Sequence, residues 1–304
     1  MSASAPDFAI VTVAHNSEAD LARLFDSLAR LAHRPRRVVV VDSGSSDSGA
    51  ELAAARGAEV VDLGGNRGFG AGCNAGLKRV TEPVTALVNP DVELLDAGLE
   101  TLVSEATGRD ALIVPRLLNR DGTPQDSAHP PPGTLEGLVP ALLPRGVLPG
   151  PIRRRYEPWR SEQRRRVGWA IAACMVARTA LLRRLGPFDP DAFLFYEDME
   201  LCLRATRAGV PTLLRPQVAV RHLGGTSVGP ALGGAALALR ARRRREVLAV
   251  EGRRALALDD AAQWLTFATR AAARRALRRG GERERAQLAA LRSARATGSA
   301  RDGS

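Results

Sequence analysis

The chain has 304 residues, of which 45% are hydrophobic, and a formal net charge of +11. This length fits one large domain or a domain with an appended segment. Three widely spaced cysteines exclude a disulfide framework and a zinc pattern, and no apolar stretch is long enough to span a bilayer. The N-terminus has neither a basic leader nor a signal-length apolar segment, so we expect a cytoplasmic protein.

The positive charge is concentrated in the last quarter of the chain. Residues 231–304 contain 17 Arg and 7 Asp or Glu, a net charge of +10, whereas the preceding residues are nearly neutral. This distribution indicates an enzyme domain followed by an element that meets an anionic surface. Few aromatic residues lie among these arginines and the rest of the chain shows no basic groove, so we expect no nucleic-acid partner.

Strands and helices alternate through the first part of the chain. Apolar residues recur at helical spacing over residues 18–31 and again over 96–107. The predicted strands around them are FAIVTVAH, RRVVVVD, AEVVDLG, VTALVNPD and ALIVPRLL. Alternation at this spacing predicts an α/β fold with a mostly parallel sheet and helices on both faces.

The alternation ends in a stretch rich in Pro and Gly over residues 119–166. Such a stretch inside a compact domain is typical of a functional loop, here an acceptor loop, and regular patterning resumes at Val167. We therefore predict a domain over residues 1–230. A basic helical extension follows over residues 231–292, and residues 293–304 are predicted to be disordered.

Polar residues follow the first four predicted strands. They are His15, Asn16, Asp42, Asn66, Arg67 and Asp91. Each has an ordinary alternative as a turn or helix-cap residue, but the carboxyl ends of parallel strands are where open α/β sheets bind ligands. We expect Asp42, the Asn66–Arg67 pair and Asp91 to form a crescent suited to a base, a ribose and a metal-bound diphosphate. Mg²⁺ or Mn²⁺ needs only one or two protein carboxylates there, and the imidazole of His222 suits Mn²⁺.

The segment GFGAGCNAG superficially matches a dinucleotide-binding fingerprint. It lacks the required glycine spacing and does not follow the first strand, so we reject an NAD site. We expect its glycines to let a helix pack closely on the sheet.

Three acids, Glu197, Asp198 and Glu200, come directly after the apolar run FLFY. Acids in the first turn of a helix are favoured by the helix dipole, and Glu200 can also pair with Arg204 one turn on. Helix chemistry thus explains Glu200. It explains less well why Glu197 and Asp198 stand side by side behind four bulky residues.

The motifs VTVAHNS, VVVVDSGSSDSG, NRGFGAGCNAGL, LVNPDVELL, GPFDPDAFLFYEDMELCLRATRAG and VRHLGGTS occur in the order seen in family 2 glycosyltransferases. They resemble most the bacterial rhamnosyltransferase-type branch, over about residues 8–228. The resemblance implies a GT-A fold, which is the Rossmann-like fold of nucleotide-diphospho-sugar transferases. It also implies a divalent cation, Mn²⁺ or Mg²⁺, and inverting transfer of a sugar from a nucleotide-diphosphate donor.

The resemblance also implies roles for individual residues. Asp198 matches the catalytic base, and Asp91 and His222 match metal ligands, with Asn89 at the first position of the metal-binding element. The positions implied to contact the donor nucleotide are Val13, Asp42, Asn66, Arg67 and Asp91. Glu197 and Trp169 are expected to contact the acceptor or support the base. Glu200 is expected to be structural.

The segment GWAIAACMV departs from the family pattern, because Gly168 and Ala172 replace an Asp and a Gly. The identity of the sugar and of the acceptor therefore stays open. Our interpretation is transfer of rhamnose from dTDP-rhamnose to a glycan or lipid-linked acceptor in cell-envelope polysaccharide synthesis.

Two alternatives to this interpretation remain. A nucleotidyltransferase would also use an α/β sheet and metal carboxylates, although VAHNSEAD stands where such enzymes carry a Gly-rich phosphate loop. An inactive protein that binds a nucleotide sugar or an anionic surface is the other alternative. The presence of Asp91, Asp198 and His222 argues against it.

Residues 261–279 form a basic amphipathic pattern with a stripe of Trp264, Phe267, Ala268 and Ala271. Five arginines lie mostly off that stripe: Arg270, Arg274, Arg275, Arg278 and Arg279. Such a helix can lie in the interface of an anionic membrane with its aromatic residues inserted, which places the protein at the inner face of the cell membrane. The alternative is that the stripe packs on the catalytic domain or on a second subunit of a homodimer.

Overall fold

The structure of the protein is a computed structural model that describes residues 6–143, 148–186, 188–189, 192–224 and 235–299. The chain divides into two compact units. The first unit contains Met1–His129 and Pro158–Ser227, and the second contains Pro130–Glu157 and Val228–Ser304.

The first unit is built on a nine-stranded sheet. Its strands are β1 (Phe8–Ala14), β2 (Arg37–Asp42), β3 (Glu59–Asp62), β4 (Val84–Val88), β5 (Val92–Leu94), β6 (Leu112–Leu118), β8 (Arg165–Val167), β10 (Cys174–Arg178) and β11 (Thr212–His222). They lie in the order β3-β2-β1-β4-β10-β6-β11-β5, and β8 also pairs with β11. A separate two-stranded sheet consists of the strands Ala128–His129 (β7) and Trp169–Ala170 (β9).

The direction of the strands agrees with the predicted mostly parallel sheet. β1, β2, β3 and β4 are mutually parallel, and β6 is parallel to β11. The antiparallel strand β10 lies between β4 and β6, and β5 and β8 are antiparallel to β11. The α/β fold is confirmed.

Helices cover this sheet and bury continuous aliphatic runs. They are α1 (Glu18–Leu28), α2 (Gly49–Ala55), α3 (Phe69–Arg79), α4 (Gly98–Thr107), α7 (Thr179–Leu185) and α8 (Glu197–Arg207). The side chains of β4 are all buried and those of β1 nearly all, as expected for strands with both faces covered. The core includes Phe8, Leu24, Leu102 and Ile113.

The second unit is helical. It contains α5 (Val139–Leu142), α6 (Gly150–Tyr156), α9 (Ala235–Val250), α10 (Arg253–Ala276) and α11 (Glu282–Ser299). Its small apolar cluster consists of Ala241, Ala290, Leu291 and Ala294, with Leu237 and Phe267 packed against it. Ion pairs add to this packing: Arg244 forms two hydrogen bonds with the carboxylate of Asp259 at 2.7 Å.

Two boundaries differ from the sequence analysis. The predicted excursion over residues 119–166 is divided, because residues up to His129 belong to the first unit and Pro130–Glu157 to the second. Helix α11 covers residues 293–299, for which we expected disorder, and residues 300–304 lie outside the described residues. Among the described helices, none combines the length and the apolar character needed to cross a bilayer.

Candidate active site

The carboxyl ends of β2 and β3 carry two loops that hydrogen bond to each other. Asp42 ends β2 opposite Asp62 of β3, and its carboxylate accepts the backbone N–H of Ser45. The Ser43 hydroxyl accepts the backbone N–H of Arg67 at 3.2 Å. The structure therefore brings Asp42 and Arg67 to the same edge of the sheet, as the sequence predicted for strand ends.

The side chain of Asn66 is turned inward onto this loop. Its Oδ1 accepts the backbone N–H of Gly68 at 3.2 Å and lies 3.5 Å from the Ser43 hydroxyl. Like Asn66, Arg67 is exposed. Its guanidinium forms no ion pair with any acid in the described part of the chain, so it is open to a ligand anion.

The glycine-rich helix α3 packs directly on β1. A Cβ at Gly72 would lie 2.5 Å from the Val13 side chain, and one at Gly76 would lie 2.4 Å from Val11. The expectation that these glycines permit close packing is confirmed. The same contact holds the side chain of Val13 beneath α3.

Asp91 lies directly before β5 and faces His222, which ends the neighbouring strand β11 and pairs with Val92. The Nε2 of His222 lies 3.3 Å from Oδ1 of Asp91, and both side chains are 12% exposed. The other carboxylate oxygen of Asp91 accepts the backbone N–H of Gly224 at 2.9 Å. Burial alone would raise the pKa of Asp91, but hydrogen bonds from His222 and Gly224 hold it below its usual range. Asp91 is therefore ionised at neutral pH.

The amide of Gln125 fixes the other side of the His222 ring. Nδ1 of His222 lies 2.8 Å from Oε1 of Gln125. Without a cation, Nε2–H donates to Asp91. With a cation bound, an Nδ1–H that donates to Gln125 would leave the Nε2 lone pair for the metal, which is the usual arrangement behind a metal-ligating histidine. The predicted pairing of Asp91 with His222 is present in the structure. Sequence reasoning missed Gln125, which we placed in an irregular loop.

The donor set at this point fits a hard divalent cation. Two ligands about 2.1 Å from an octahedral cation lie about 3 Å apart, close to the 3.3 Å between His222 and Asp91. Oδ1 of Asn89, two residues before Asp91 in the chain, is buried and has no hydrogen-bond partner among the described residues. Within the described residues no three His, Cys, Asp or Glu side chains are grouped for metal binding, so water or substrate oxygens would complete the coordination.

Asp198 lies in the first turn of α8, as predicted. Burial raises the pKa of its carboxyl to about 6, and the backbone N–H groups of Met199 and Ala172 oppose that rise. The Met199 N–H lies 2.7 Å from Oδ1. A carboxylate with this pKa is ionised at pH 7 and basic enough to accept a proton.

A short segment before β10 connects this acid with the Asn-Pro-Asp motif. The Ala172 N–H reaches Asp198, and the next residue, Ala173, accepts the backbone N–H of Asn89 at 2.8 Å. The substituted position Ala172 is 3% exposed, so its methyl group faces packed protein. Gly168, the other departure from the family pattern, donates its N–H to the carbonyl of His129 at 2.8 Å.

The two other acids of α8 have separate surroundings. Glu197 is buried, at 8% exposed, and its charge adds to burial in raising the pKa of Cys73 well above its usual value. Glu200 pairs with Arg204 at 2.7 Å and lies 3.9 Å from Arg207. The expected structural role of Glu200 agrees with these two ion pairs.

The backbone immediately before α8 is strained. Phe195 and Tyr196 both have positive φ angles, 74° and 65°, in a region that bulky residues rarely adopt. Each such residue costs of the order of 1–3 kcal/mol unless its surroundings enforce the conformation. Strain of this kind concentrates at functional sites, and here it lies two residues before Asp198.

A group of aromatic rings packs against Tyr196 of this turn. The rings of Trp169 and Tyr196 meet edge to face, with centroids 6.2 Å apart, and Trp169 stacks on His129 at 4.1 Å. Trp159 packs on the same histidine at 5.8 Å. We expected Trp169 at the site, but His129 and Trp159 lay within the Pro/Gly-rich stretch. A histidine directly before a run of prolines carried no periodic signal that would have identified it.

Comparison with known sequences identifies the family. The profile described as "Glycosyl transferase family 2" matches residues 9–186, more than half of the chain. A low-salt glycan biosynthesis hexosyltransferase, Agl10 of Haloferax volcanii, is 28% identical over 67% of this chain, which spans 63% of that relative's length. An N-acetylglucosaminyl-diphospho-decaprenol L-rhamnosyltransferase of Mycobacterium tuberculosis is 26% identical over 72% of this chain and 77% of its own length.

Two solved structures that align with this fold contain a nucleotide or a nucleotide sugar. The mannosyltransferase PcManGT of Pyrobaculum calidifontis, in complex with GDP-Man and Mn²⁺, aligns with a TM-score of 0.61 at 16% identity, over 96% of this chain and 86% of that one. GalNAc-T7 with UDP, GalNAc and Mn²⁺ aligns with a TM-score of 0.57 at 16% identity, over 77% and 48%. By its sequence and by its GT-A fold, the chain belongs to glycosyl transferase family 2.

Proposed function

We propose that this protein is an inverting, divalent-cation-dependent glycosyltransferase. The donor that we favour is dTDP-rhamnose, and the acceptor is a hydroxyl of a glycan or lipid-linked sugar in cell-envelope polysaccharide synthesis. The L-rhamnosyltransferase relative supports this choice of sugar and of a diphospho-polyprenol-linked acceptor. The observation that carries the reaction type is the buried carboxyl of Asp198, whose pKa of about 6 suits a general base.

Asp198 removes the proton from the acceptor hydroxyl in this mechanism. The acceptor oxygen forms a bond with the anomeric carbon as the bond from that carbon to the diphosphate oxygen breaks, and the nucleoside diphosphate leaves. Because a single displacement proceeds from the face opposite the leaving group, the anomeric configuration is inverted. Glu197 is buried beside the base, where we assign it to support Asp198 or contact the acceptor.

The donor nucleotide is assigned to the edge formed by β1, β2 and β3. Asp42 would accept hydrogen bonds from the base, while Asn66 and the backbone of Val13 line the same edge. The exposed guanidinium of Arg67 would pair with the diphosphate, since Arg is suited to phosphate recognition. These assignments rest on position at the strand ends and on the absence of an acidic partner for Arg67 among the described residues.

Asp91 and His222 would hold the divalent cation, together with the amide oxygen of Asn89. When bound, the cation supplies Lewis acidity toward the departing diphosphate. We favour Mn²⁺ over Mg²⁺ because an imidazole nitrogen is part of the donor set. The solved relatives with Mn²⁺ support the same choice.

The helical unit is assigned to an anionic membrane surface at the inner face of the cell membrane. Phe267 of the predicted stripe packs against the apolar cluster of that unit, so the stripe cannot insert as a whole. Exposed Arg275, Leu277, Arg278 and Arg279 instead form a basic patch at the end of α10. We call these four residues the α10 patch.

A donor screen tests the proposed activity. Full-length protein is incubated with dTDP-rhamnose, UDP-GlcNAc or GDP-mannose, with Mn²⁺ or Mg²⁺, and with polyprenyl-diphosphate-linked N-acetylglucosamine. We expect nucleotide release from dTDP-rhamnose that depends on the acceptor. NMR of the product should show that the configuration at the anomeric carbon is inverted. The proposal is contradicted if Asp198→Asn releases nucleotide as fast as the wild type, or if the product retains the anomeric configuration of the donor.

A further inference from the structure

The left-handed turn at Phe195 and Tyr196 fixes where the first turn of α8 begins. The N–H of Glu200 donates to the carbonyl of Tyr196 at 2.9 Å, so the first turn hydrogen bonds directly to the strained residue. The carboxyl of Asp198 lies within that turn. Any relaxation of Tyr196 toward an ordinary conformation would therefore rotate the start of α8 and move Asp198.

The ring of Tyr196 is held from one side by a column of aromatic rings. It meets Trp169 edge to face at an interplanar angle of 65°, and Trp169 lies nearly flat on His129 at 22°. Edge-to-face and offset-stacked rings are the favoured geometries for aromatic pairs. The column thus runs from His129 through Trp169 to Tyr196.

The backbone fixes the base of this column. His129 and Trp169 are directly paired residues of the antiparallel β7–β9 sheet, and the carbonyl of His129 accepts the Gly168 N–H. Directly opposed residues on one face of an antiparallel pair are close enough for their side chains to interact. The position of the Trp169 ring is therefore set by the histidine beside it and by the strand pairing.

We infer that His129 is a positioning residue for the reaction, which acts through Trp169 and Tyr196 to hold the strained turn that orients Asp198. This inference rests on the proposed role of Asp198 as the base. His129 does not need to touch the substrate. Its flat ring is the part that matters, because a flat ring can stack on the indole and an aliphatic side chain of similar size cannot.

The test compares His129→Leu with His129→Phe in the full-length protein. Leucine keeps apolar bulk without a ring face, whereas phenylalanine keeps the ring. His33→Leu is the matched control, because it also replaces a histidine that packs on an aromatic ring. The His33 ring lies 5.8 Å from that of Phe8, the first residue of β1 and the end of the strand away from the candidate site. Hydrogen–deuterium exchange of residues 193–201 reports on the turn without any substrate, and nucleotide release reports on turnover.

We expect His129→Leu to speed exchange in residues 193–201 by about tenfold and leave exchange in β1 unchanged. Turnover should fall about ten- to a hundredfold, since a misplacement of about 1 Å can cost that much, while the KM for the donor changes less than about twofold. His129→Phe should restore both measurements, and His33→Leu should change neither. Unchanged exchange in His129→Leu, or a His129→Phe protein as impaired as His129→Leu, overturns the inference.

Failure of the inference is separable from failure of the proposed function. Asp198→Asn is measured alongside for nucleotide release. If Asp198→Asn loses turnover while His129→Leu retains it, the base assignment stands and the column does not position it. If Asp198→Asn turns over normally, Asp198 is not the base, and the inference that His129 positions it for the reaction falls with that assignment.

Discussion

The backbone at Gly68 touches the backbone at Phe193. A Cβ added at Gly68 would lie 1.9 Å from the carbonyl oxygen of Phe193, and the φ angle of Gly68 is 83°. Gly68 follows the Asn66–Arg67 loop and precedes α3, whereas Phe193 begins the segment that leads to Asp198. The contact therefore joins the loop assigned to the donor nucleotide with the segment that carries the proposed base.

Substitution of Gly68 by alanine is expected to impair nucleotide binding and turnover together, although it removes no catalytic group. The new methyl group cannot fit against a backbone carbonyl, so one of the two segments must move. Gly57→Ala is the matched control, because Gly57 has a φ of 80° and no atom lies within 4 Å of the position that its new methyl group would take. It should cost only about 1 kcal/mol of strain and leave turnover unchanged. Equal losses of turnover in the two variants would refute the coupling.

Asp198→Asn is expected to lower turnover roughly 10²–10⁴-fold, which is the usual contribution of general acid–base catalysis. Donor binding should change little, because the side chain keeps its shape. Glu200→Gln is the control on the same helix, since Glu200 forms ion pairs with Arg204 and Arg207. Steady-state kinetics and nucleotide titration measure the two effects. If Asp198→Asn and Glu200→Gln lose turnover equally, Asp198 is not the catalytic base.

The raised pKa of Asp198 also predicts a pH dependence of stability. Its folded-state pKa of about 6 exceeds the unfolded value of about 3.9, so the folded state binds the proton more tightly. Protonation therefore stabilises the fold, and this stabilisation is lost as the pH rises through about 6. Asp198→Asn should raise the free energy of unfolding at pH 8 by up to about 3 kcal/mol and change it little at pH 4.

Urea unfolding at the two pH values measures this difference. In the wild-type protein the same titration should reduce turnover as the pH falls through about 6, because the base becomes protonated. A variant that is no more stable than the wild type at pH 8 would show that burial does not raise the pKa of this carboxyl.

The sequence predicted most of the acid and polar residues of the site because they lie at strand ends, where position follows from topology. Asp42, Asn66 and Asp91 could be located once the alternating pattern was read. Gln125 and His129 could not, since each acts through a contact with a residue far along the chain, His222 and Trp169 respectively. Such contacts depend on how an irregular segment returns to the sheet, for which periodicity has no signal.

The same limit applies to the strained turn. The run FLFY indicates an apolar wall, but no local preference favours positive φ angles at Phe195 and Tyr196. The contacts of this segment are tertiary: Gly68 lies against the backbone of Phe193, and Trp169 lies against Tyr196. The antiparallel insertion of β10 is likewise a matter of tertiary pairing, because CMVAR has the composition of any buried strand.

Turnover is expected to require a divalent cation and to be lost in excess EDTA. Asp91→Ala should abolish Mn²⁺-dependent nucleotide binding, and His222→Ala should weaken it less.

Gln125→Leu should lower the affinity for Mn²⁺ about 10- to 100-fold, because a partner that orients a ligating histidine typically contributes that much. Asp121→Asn is a control for this loop, since the hydrogen bonds of Asp121 go to Thr123 and not to Gln125 or His222. Calorimetric titration with Mn²⁺ distinguishes these cases, and full turnover in EDTA would exclude the cation.

The last prediction concerns the α10 patch and binding to an anionic membrane. Many arginines of the helical unit are already paired with acids, for example Arg244 with Asp259 and Arg274 with Glu284. Arg275, Arg278 and Arg279 are exposed and have no acidic partner among the described residues, and Leu277 between them is 64% exposed. Each base near an anionic bilayer contributes about 1 kcal/mol. Replacing the three arginines by Gln should therefore weaken binding to phosphatidylserine vesicles by at least about tenfold at low salt.

A charge-matched variant separates local binding from net charge. Replacing Arg34, Arg120 and Arg166 by Gln removes the same charge from exposed positions of the first unit that have no ion pair among the described residues, and it should leave vesicle binding nearly unchanged. Binding by the wild type should also weaken as salt rises, because exposed charges are screened beyond about 8 Å at physiological ionic strength. If both triple variants lose binding equally, the attraction is a property of net charge alone. A third outcome is that neither triple variant loses vesicle binding. If the wild type then sediments as a dimer and the variant of Arg275, Arg278 and Arg279 does not, the α10 patch joins two copies of the chain.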